Sequence, residues 1–163
     1  MSYLFFRVDS SYSIASGHLI RCQRLAKVLK KKYEIIFIVN KFKGNFNFIL
    51  KDFKKIYLDY KNEHHLDSKS DSEKTIKVLK KFKGKKILIV DHYKLDSTWH
   101  KKIIKHIDKM VCINDYIKKN YCDYLINETY YPKNASQKCL KKDTKLLIGP
   151  KYALIENNKK KNL

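Results

Sequence analysis

The sequence predicts an α/β fold, with a mostly parallel sheet covered by helices on both faces. Three observations predict it. Short runs such as Ile35-Ile36-Phe37-Ile38-Val39 are apolar at every position, as expected of strands buried on both sides. Segments of helical periodicity separate these runs. Polar, turn-forming residues follow the strands, where sheets of this kind bind ligands.

The elements follow in order. Tyr3 to Val8 reads as a buried strand bounded by Asp9-Ser10-Ser11-Tyr12-Ser13. From His18 to about Lys32 the pattern is helical, with Cys22, Leu25, Ala26 and Leu29 on one stripe. Glu34 to Val39 is a second strand, Asn45 to Phe53 a short helix, Lys55 to Leu58 a third strand and Asp59 to Lys69 a polar loop. Asp71 to Phe82 reads as a helix capped by Ser70 or Asp71, with Ile76 and Leu79 inward. Lys86 to Val90 is an apolar strand ending at Asp91. Ser97 to His106 is a helix with Ser97 as its cap and Trp99, Ile103 and Ile107 on one side. Within it, His100 and His106 read as surface residues. Lys109 to Ile113, Tyr124 to Ile126 and Lys145 to Ile148 complete the strands. This alternation is Rossmann-like.

Composition narrows the function classes. A net charge of +21 points toward polyanions, yet only Arg7, Arg21 and Arg24 are arginine among 37 basic residues. Guanidinium is the fork that phosphate and base recognition favour. Scattered lysine therefore reads as a solvated surface, and no specific nucleic-acid partner is expected. No run of ~18 apolar residues suits a membrane span. The first residues lack the basic and small-residue features of a secretory signal, so no membrane partner and a cytoplasmic location are expected. Cys22, Cys112, Cys122 and Cys139 form no C-x-x-C pair or zinc-ribbon spacing, so no disulfide framework is expected. His64-His65 lacks a partner at metal-ligand spacing, and Tyr130-Tyr131-Pro132 reads as an aromatic loop without assignable chemistry.

The site is sought beyond strands one, four and five, in Asp9 to His18, Asp91 to Tyr93 and Asn114 to Tyr116. A loop of small residues before a helix N-terminus holds anions or polarised oxygens on free N–H groups. Gly17 admits close backbone approach. His18, in the first helical turn, sits where the helix dipole favours a neutral imidazole. Arg21 shares its face and can offset substrate charge. The plainer alternative makes His18 part of a helix terminus and Arg21 a surface charge. A metal cluster of His18, Asp91 and His92 is geometrically conceivable but disfavoured, because successive residues of a strand face opposite ways.

Ala15-Ser16-Gly17-His18-Leu19-Ile20-Arg21-Cys22 resembles the G-x-G-H-x-x-R-C signature of the pseudaminic-acid pathway UDP-sugar hydrolases and the related spore-coat polysaccharide proteins. Val90-Asp91-His92-Tyr93-Lys94-Leu95-Asp96, followed by Trp99, is similar to their V-D-H-Y-x-L-D-x-x-W. Ile113-Asn114-Asp115-Tyr116 resembles I-D-D-L, and Cys122-Asp123-Tyr124-Leu125-Ile126-Asn127 resembles C-D-x-L-L-N. Leu147-Ile148-Gly149-Pro150-Lys151-Tyr152-Ala153-Leu154 resembles the L-x-G-P-x-Y-A-L that ends the family's first lobe. The resemblance covers nearly the whole chain. It implies the N-terminal lobe of a GT-B-like enzyme that hydrolyses UDP-2,4-diacetamido-2,4,6-trideoxy-β-L-altropyranose at C1, releasing UDP without metal or cofactor. On that basis His18 activates the attacking water. Asp9, Ser16, Gly17, Arg21, Asp91, His92, Tyr93, Asn114 and Asp115 contact substrate or line its pocket.

Two residues depart from the pattern. Ala15 replaces the signature's first glycine, which removes a residue at ease with positive φ. Asn114 replaces the first aspartate of I-D-D-L, which removes a charge. Residues 1–154 are expected to form the lobe and 155–163 a basic tail, whereas the family continues into a second, nucleotide-binding lobe. A truncated product, one part of a split enzyme, and a lobe working with a separate subunit all fit, as does a catalytically silent half-domain.

Overall fold

The computed structural model describes residues 1–115, 118–129 and 139–155. Tyr116, Tyr130-Tyr131-Pro132 and the tail after residue 155 lie outside them. The seven strands are β1 (Ser2–Val8), β2 (Glu34–Val39), β3 (Lys54–Tyr57), β4 (Lys85–Asp91), β5 (Lys109–Ile113), β6 (Tyr124–Asn127) and β7 (Lys145–Ile148). They form one sheet in the order β3-β2-β1-β4-β5-β6-β7, and every pairing is parallel. The strand order reverses between β1 and β4, and this is the switch point at which such sheets bind ligands.

Alternation along the strands builds two cores. Leu4, Phe6 and Val8 of β1 pack with Ile89 of β4 and with Leu19, Cys22 and Ala26 of helix α1 (Gly17–Leu29). Phe6 stacks on Phe37 of β2 at 4.7 Å between ring centres. On the opposite face, Phe5, Leu88, Val90 and Cys112 pack with Val78 and Leu79 of helix α2 (Ser68–Leu79) and Trp99 and Ile103 of helix α3 (Ser97–Ile103). Each fully buried large apolar side chain contributes about 1.5–3 kcal/mol, and such chains fill both faces. The Rossmann-like α/β architecture is as predicted.

Several boundaries and caps differ from expectation. The segment expected as a short helix at Asn45 to Phe53 is a single 3₁₀ turn, Asn47–Leu50. The expected loop from Asp59 to Lys69 contains a 3₁₀ turn, Glu63–His65, and the start of α2. Neither Ser70 nor Asp71 caps α2. The cap is Asp67, which accepts from the Ser70 N–H at 2.9 Å, and Asp71 turns into the protein. Similarly, Asp96 rather than Ser97 caps α3, accepting from the N–H groups of Thr98 and Trp99. The helix ends in a 3₁₀ turn, Ile104–His106. His100 is fully buried, not a surface residue. Its Nδ1 accepts the Tyr121 N–H, and Nε2 lies 3.6 Å from Cys112 Sγ. Burial and the nearby Lys118 charge push its pKa down to about 3. All four cysteines are free thiols. Among the described residues no helix is long and apolar enough to cross a membrane.

Candidate active site

Strand alternation decides which residue faces which helix. Ile87 and Ile89 of β4 face α1, so Asp91, two positions on, does too. There Asp91 Oδ1 lies 2.6 Å from His18 Nδ1. Arg21, one turn along α1, donates to both oxygens of Asp91 at 2.5 and 2.6 Å. The Cys22 thiol approaches the same carboxylate at 3.7 Å. Ile113 of β5 also faces α1, and Asp115 two residues later reaches Arg21. Burial pushes the Asp91 carboxyl up, but the hydrogen bonds from Arg21 and His18 outweigh it and hold the group below its ordinary range. Asp91 is therefore ionised and only accepts, and its 2.6 Å contact assigns the proton of His18 to Nδ1 in preference to a bond from Arg21 Nη2, which lies 3.0 Å from the same nitrogen. Among the described residues Nε2 has no hydrogen-bond partner, so its lone pair is the ring's available base. The Tyr93 ring stands edge-on to the imidazole, 4.4 Å between centres and 85° between planes.

Val8 faces α1, so Asp9 turns to the opposite face. Its carboxylate receives Arg7 Nη2 at 2.8 Å, the Asn40 N–H at 2.7 Å, Asn40 Nδ2 at 2.9 Å and His92 Nε2 at 3.2 Å. Burial raises the Asp9 pKa, and the Arg7 charge with the His92 bond overcomes this to lower it. Arg7 also donates to Asp71 at 2.6 Å, and Trp99 Nε1 donates to Asp71 at 2.9 Å. His92 is satisfied on both nitrogens, since Nδ1 accepts the Lys94 N–H at 3.1 Å. Burial lowers its pKa, against the pull of Asp9. Asp9 and His92 thus tie the ends of β1, β2 and β4 together.

Two cavities meet at His18. One, of about 250 Å³, has mostly apolar walls from Ile14, Phe42, Leu66 and Tyr93. The other, of about 410 Å³, is an open groove along the N-terminal turns of α1, past Gly17, Arg21, Arg24 and Asp115. Gly17 has open space where a side chain would stand, which leaves that groove clear. Ser16 is the residue before α1 and makes no side-chain cap. Asn114 is buried and donates to Asn120 Oδ1 at 2.8 Å. Glu63 spans the rim of the first cavity: Ser13 donates to its carboxylate and Lys94 to its backbone carbonyl, both at 2.5 Å.

The expected residues from strands one, four and five therefore meet at one end of the sheet, divided between two clusters. His18, Arg21, Asp91, Tyr93 and Asp115 form the open one. Asp9 and His92 belong to a fully paired one with Arg7 and Asp71, although both also line the 250 Å³ cavity, and Asn114 is tied to Asn120. Among the described residues no three His, Cys, Asp or Glu side chains stand at metal-holding spacing. The sequence reading missed Glu63 and Leu66, which lay in a segment taken for a plain loop. It also missed Arg7, whose signal was present as one arginine inside an otherwise apolar strand.

Comparison with known proteins gives no match, either to a protein-family model or to a curated protein.

Proposed function

We propose that this chain is the catalytic lobe of a GT-B-like nucleotide-sugar hydrolase that cleaves the C1–O bond of a UDP-linked 2,4-diacetamido-2,4,6-trideoxy sugar for nonulosonic-acid synthesis. The observation that carries the reading is the Asp91–His18 pair at the switch point, with Nε2 free where two cavities meet. The five-motif resemblance supports the sugar class. Water is deprotonated by His18 Nε2 as its oxygen bonds to C1, and the C1–O electron pair leaves with UDP. Asp91 holds the tautomer and stabilises the imidazolium that forms. The apolar cavity suits the deoxy and acetyl methyl groups, and the groove by Arg21, Arg24 and the α1 N-terminus suits the diphosphate. The reaction on this reading needs no metal or cofactor. A second lobe, in cis or as a separate subunit, supplies the uridine contacts.

UDP release from the diacetamido-trideoxyaltrose nucleotide, by the chain alone and with a separately encoded second lobe, tests the reading. His18→Ala should lower turnover by at least about 10³-fold with the fold intact. Unchanged turnover in that variant overturns the mechanism. A second reading, a silent substrate-binding half-domain, is favoured by the ion pairs that already occupy Arg21. Nucleotide binding without turnover in either condition would support it.

A further inference from the structure

The lysines are scattered in sequence but gathered in space. In a parallel sheet every strand begins at one end, so the loops leading into the strands share that end. Lys30, Lys31 and Lys32 follow α1 and lead into β2, and Lys80, Lys81 and Lys83 follow α2 and lead into β4. All six are exposed. The register sets Tyr3 of β1 beside both Glu34 and Lys86, so the two lysine loops flank the start of β1, on strands about 10 Å apart. Met1 lies between them, 83% exposed, with its carbonyl against Gly84. Carboxylates at this end cancel only part of the charge. Asp123 is paired with Lys141, which leaves Glu34, Asp52, Asp108 and Asp143.

The opposite end, which carries the candidate active site, differs. There the loops hold Asp59, Glu63, Asp67, Asp96, Asp115 and Glu128 among their lysines. A uniform lysine bias would load both ends alike, and it does not. Helix C-termini favour lysine through the dipole, but Lys54, Lys85 and Lys86 begin strands and gain nothing from it. His106 reports the crowding, its pKa lowered by burial and by the charges of Lys80, Lys105 and Lys86.

We infer that this end of the sheet is a docking surface for an anionic phospholipid bilayer. The choice over nucleic acid rests on the donors. All three arginines lie elsewhere: Arg7 is buried in the sheet and Arg21 and Arg24 line the groove at the other end. Lysine acts as a point charge toward a diffuse surface potential, and each contributes about fivefold to binding near an anionic leaflet. Single-stranded nucleic acid would call for exposed stacking aromatics, and among the described residues the exposed aromatics Tyr12, Phe48, Tyr57 and Tyr93 all lie outside the two lysine loops that flank β1. This proposal departs from the expectation that lysine forms only a solvated surface without a membrane partner.

The test is cosedimentation of the full chain with phosphatidylcholine vesicles, with and without about one third phosphatidylglycerol, at ~0.1 M salt. Two folded variants are compared. One replaces Lys30, Lys31, Lys32, Lys80, Lys81 and Lys83 with Gln. The other replaces Lys41, Lys43, Lys61, Lys69, Lys119 and Lys151, six exposed lysines of the opposite end. The first should weaken binding to the anionic vesicles by at least about 100-fold and the second by less than about fivefold. Equal losses, or no preference for phosphatidylglycerol, overturn the proposal. So does displacement from the vesicles by duplex DNA at equal phosphate concentration, which would assign the surface to nucleic acid.

Discussion

The end of the sheet at β1 and β4 carries two clusters built from the same residue types. One holds Arg7, Asp9, Asp71 and His92, and the other holds Arg21, Asp91, Asp115 and His18. In the first, every polar hydrogen of the ring and both carboxylates are engaged, and Arg7, Asp9 and Asp71 are at most 1% exposed. In the second, Asp115 and Arg21 reach the surface and one imidazole nitrogen is left over. Ingredients alone do not distinguish a brace from a reaction centre. The difference lies in which face a strand-end residue takes and whether all its polar atoms are paired, since Asp9 and His92 line the 250 Å³ cavity just as His18 and Asp91 do.

Asp91→Asn would break the comparison most sharply. An amide in place of the carboxylate no longer fixes the Nδ1–H tautomer of His18 and no longer stabilises imidazolium. Turnover should fall by about 10²–10⁴-fold, while the substrate KM changes far less. A KM effect without a kcat effect would make Asp91 a pocket wall and not a partner of the base.

The fully paired cluster should answer in stability. Arg7→Met removes the cation between two buried carboxylates, and leaving such charges uncompensated costs about 3–5 kcal/mol. Urea unfolding measures it. A loss below about 1 kcal/mol would show that Asp9 and Asp71 find other partners, and the cluster would lose its role as a brace.

Acid separates the two faces further. His92 and His100 both belong to the α2–α3 side, and burial lowers the pKa of each, that of His100 to about 3. A group whose folded pKa lies below its unfolded value, ~6.5 for histidine, contributes stability above ~6.5. That stability is lost as the pH falls toward the folded value. From pH 7 to 5 the unfolding free energy should drop by about 2 kcal/mol through His100, with a further loss of the same sign from His92. Asp9 and Asp91, also depressed, add a second loss only below their unfolded value of ~3.9. His100→Gln should flatten the pH 7-to-5 leg, and an unchanged slope would remove His100 from this account.

Much of this was legible in the sequence. Apolar runs marked the central strands β1, β2 and β4, because burial on both faces leaves little else in them, whereas the edge strands β3 and β7 are only half-buried. The rule that ligands bind past strand ends selected His18, Asp91 and Asp115 without any knowledge of contacts. It could not say which of Asp91 and His92 faces α1, since that depends on where β4 stops alternating. Caps shifted to Asp67 and Asp96 for a related reason. Asp71 and Ser97 have the right side chains, but Asp71 is drawn to Arg7, a partner 64 positions away. His100 was misplaced because a short amphipathic helix gives no hint that a later segment, Tyr121 to Cys122, will cover it.

The smallest effect concerns Ala15, where sequence and structure converge. Ala15 stands where the resembling signature has glycine, and its φ is 63°, the single positive value outside glycine among the described residues. Its N–H bonds the Ser11 carbonyl at 2.9 Å, closing the loop that leads into His18. Left-handed backbone costs a residue with a Cβ about 1–2 kcal/mol. Glycine would relieve this but give back about 0.4–1 kcal/mol through a freer unfolded chain. Ala15→Gly should therefore raise stability by up to about 1 kcal/mol, seen as a Tm higher by about 2–4 °C. Ala15→Val should lower it, since a β-branched side chain fits this region worst. The strain sits beside the His18 cluster, and among the described residues the fully paired one has no counterpart, as expected if the loop's shape is held for the position of His18. A Tm lowered by glycine would mean that the left-handed turn is not strained, and would remove the loop from the difference between the two clusters.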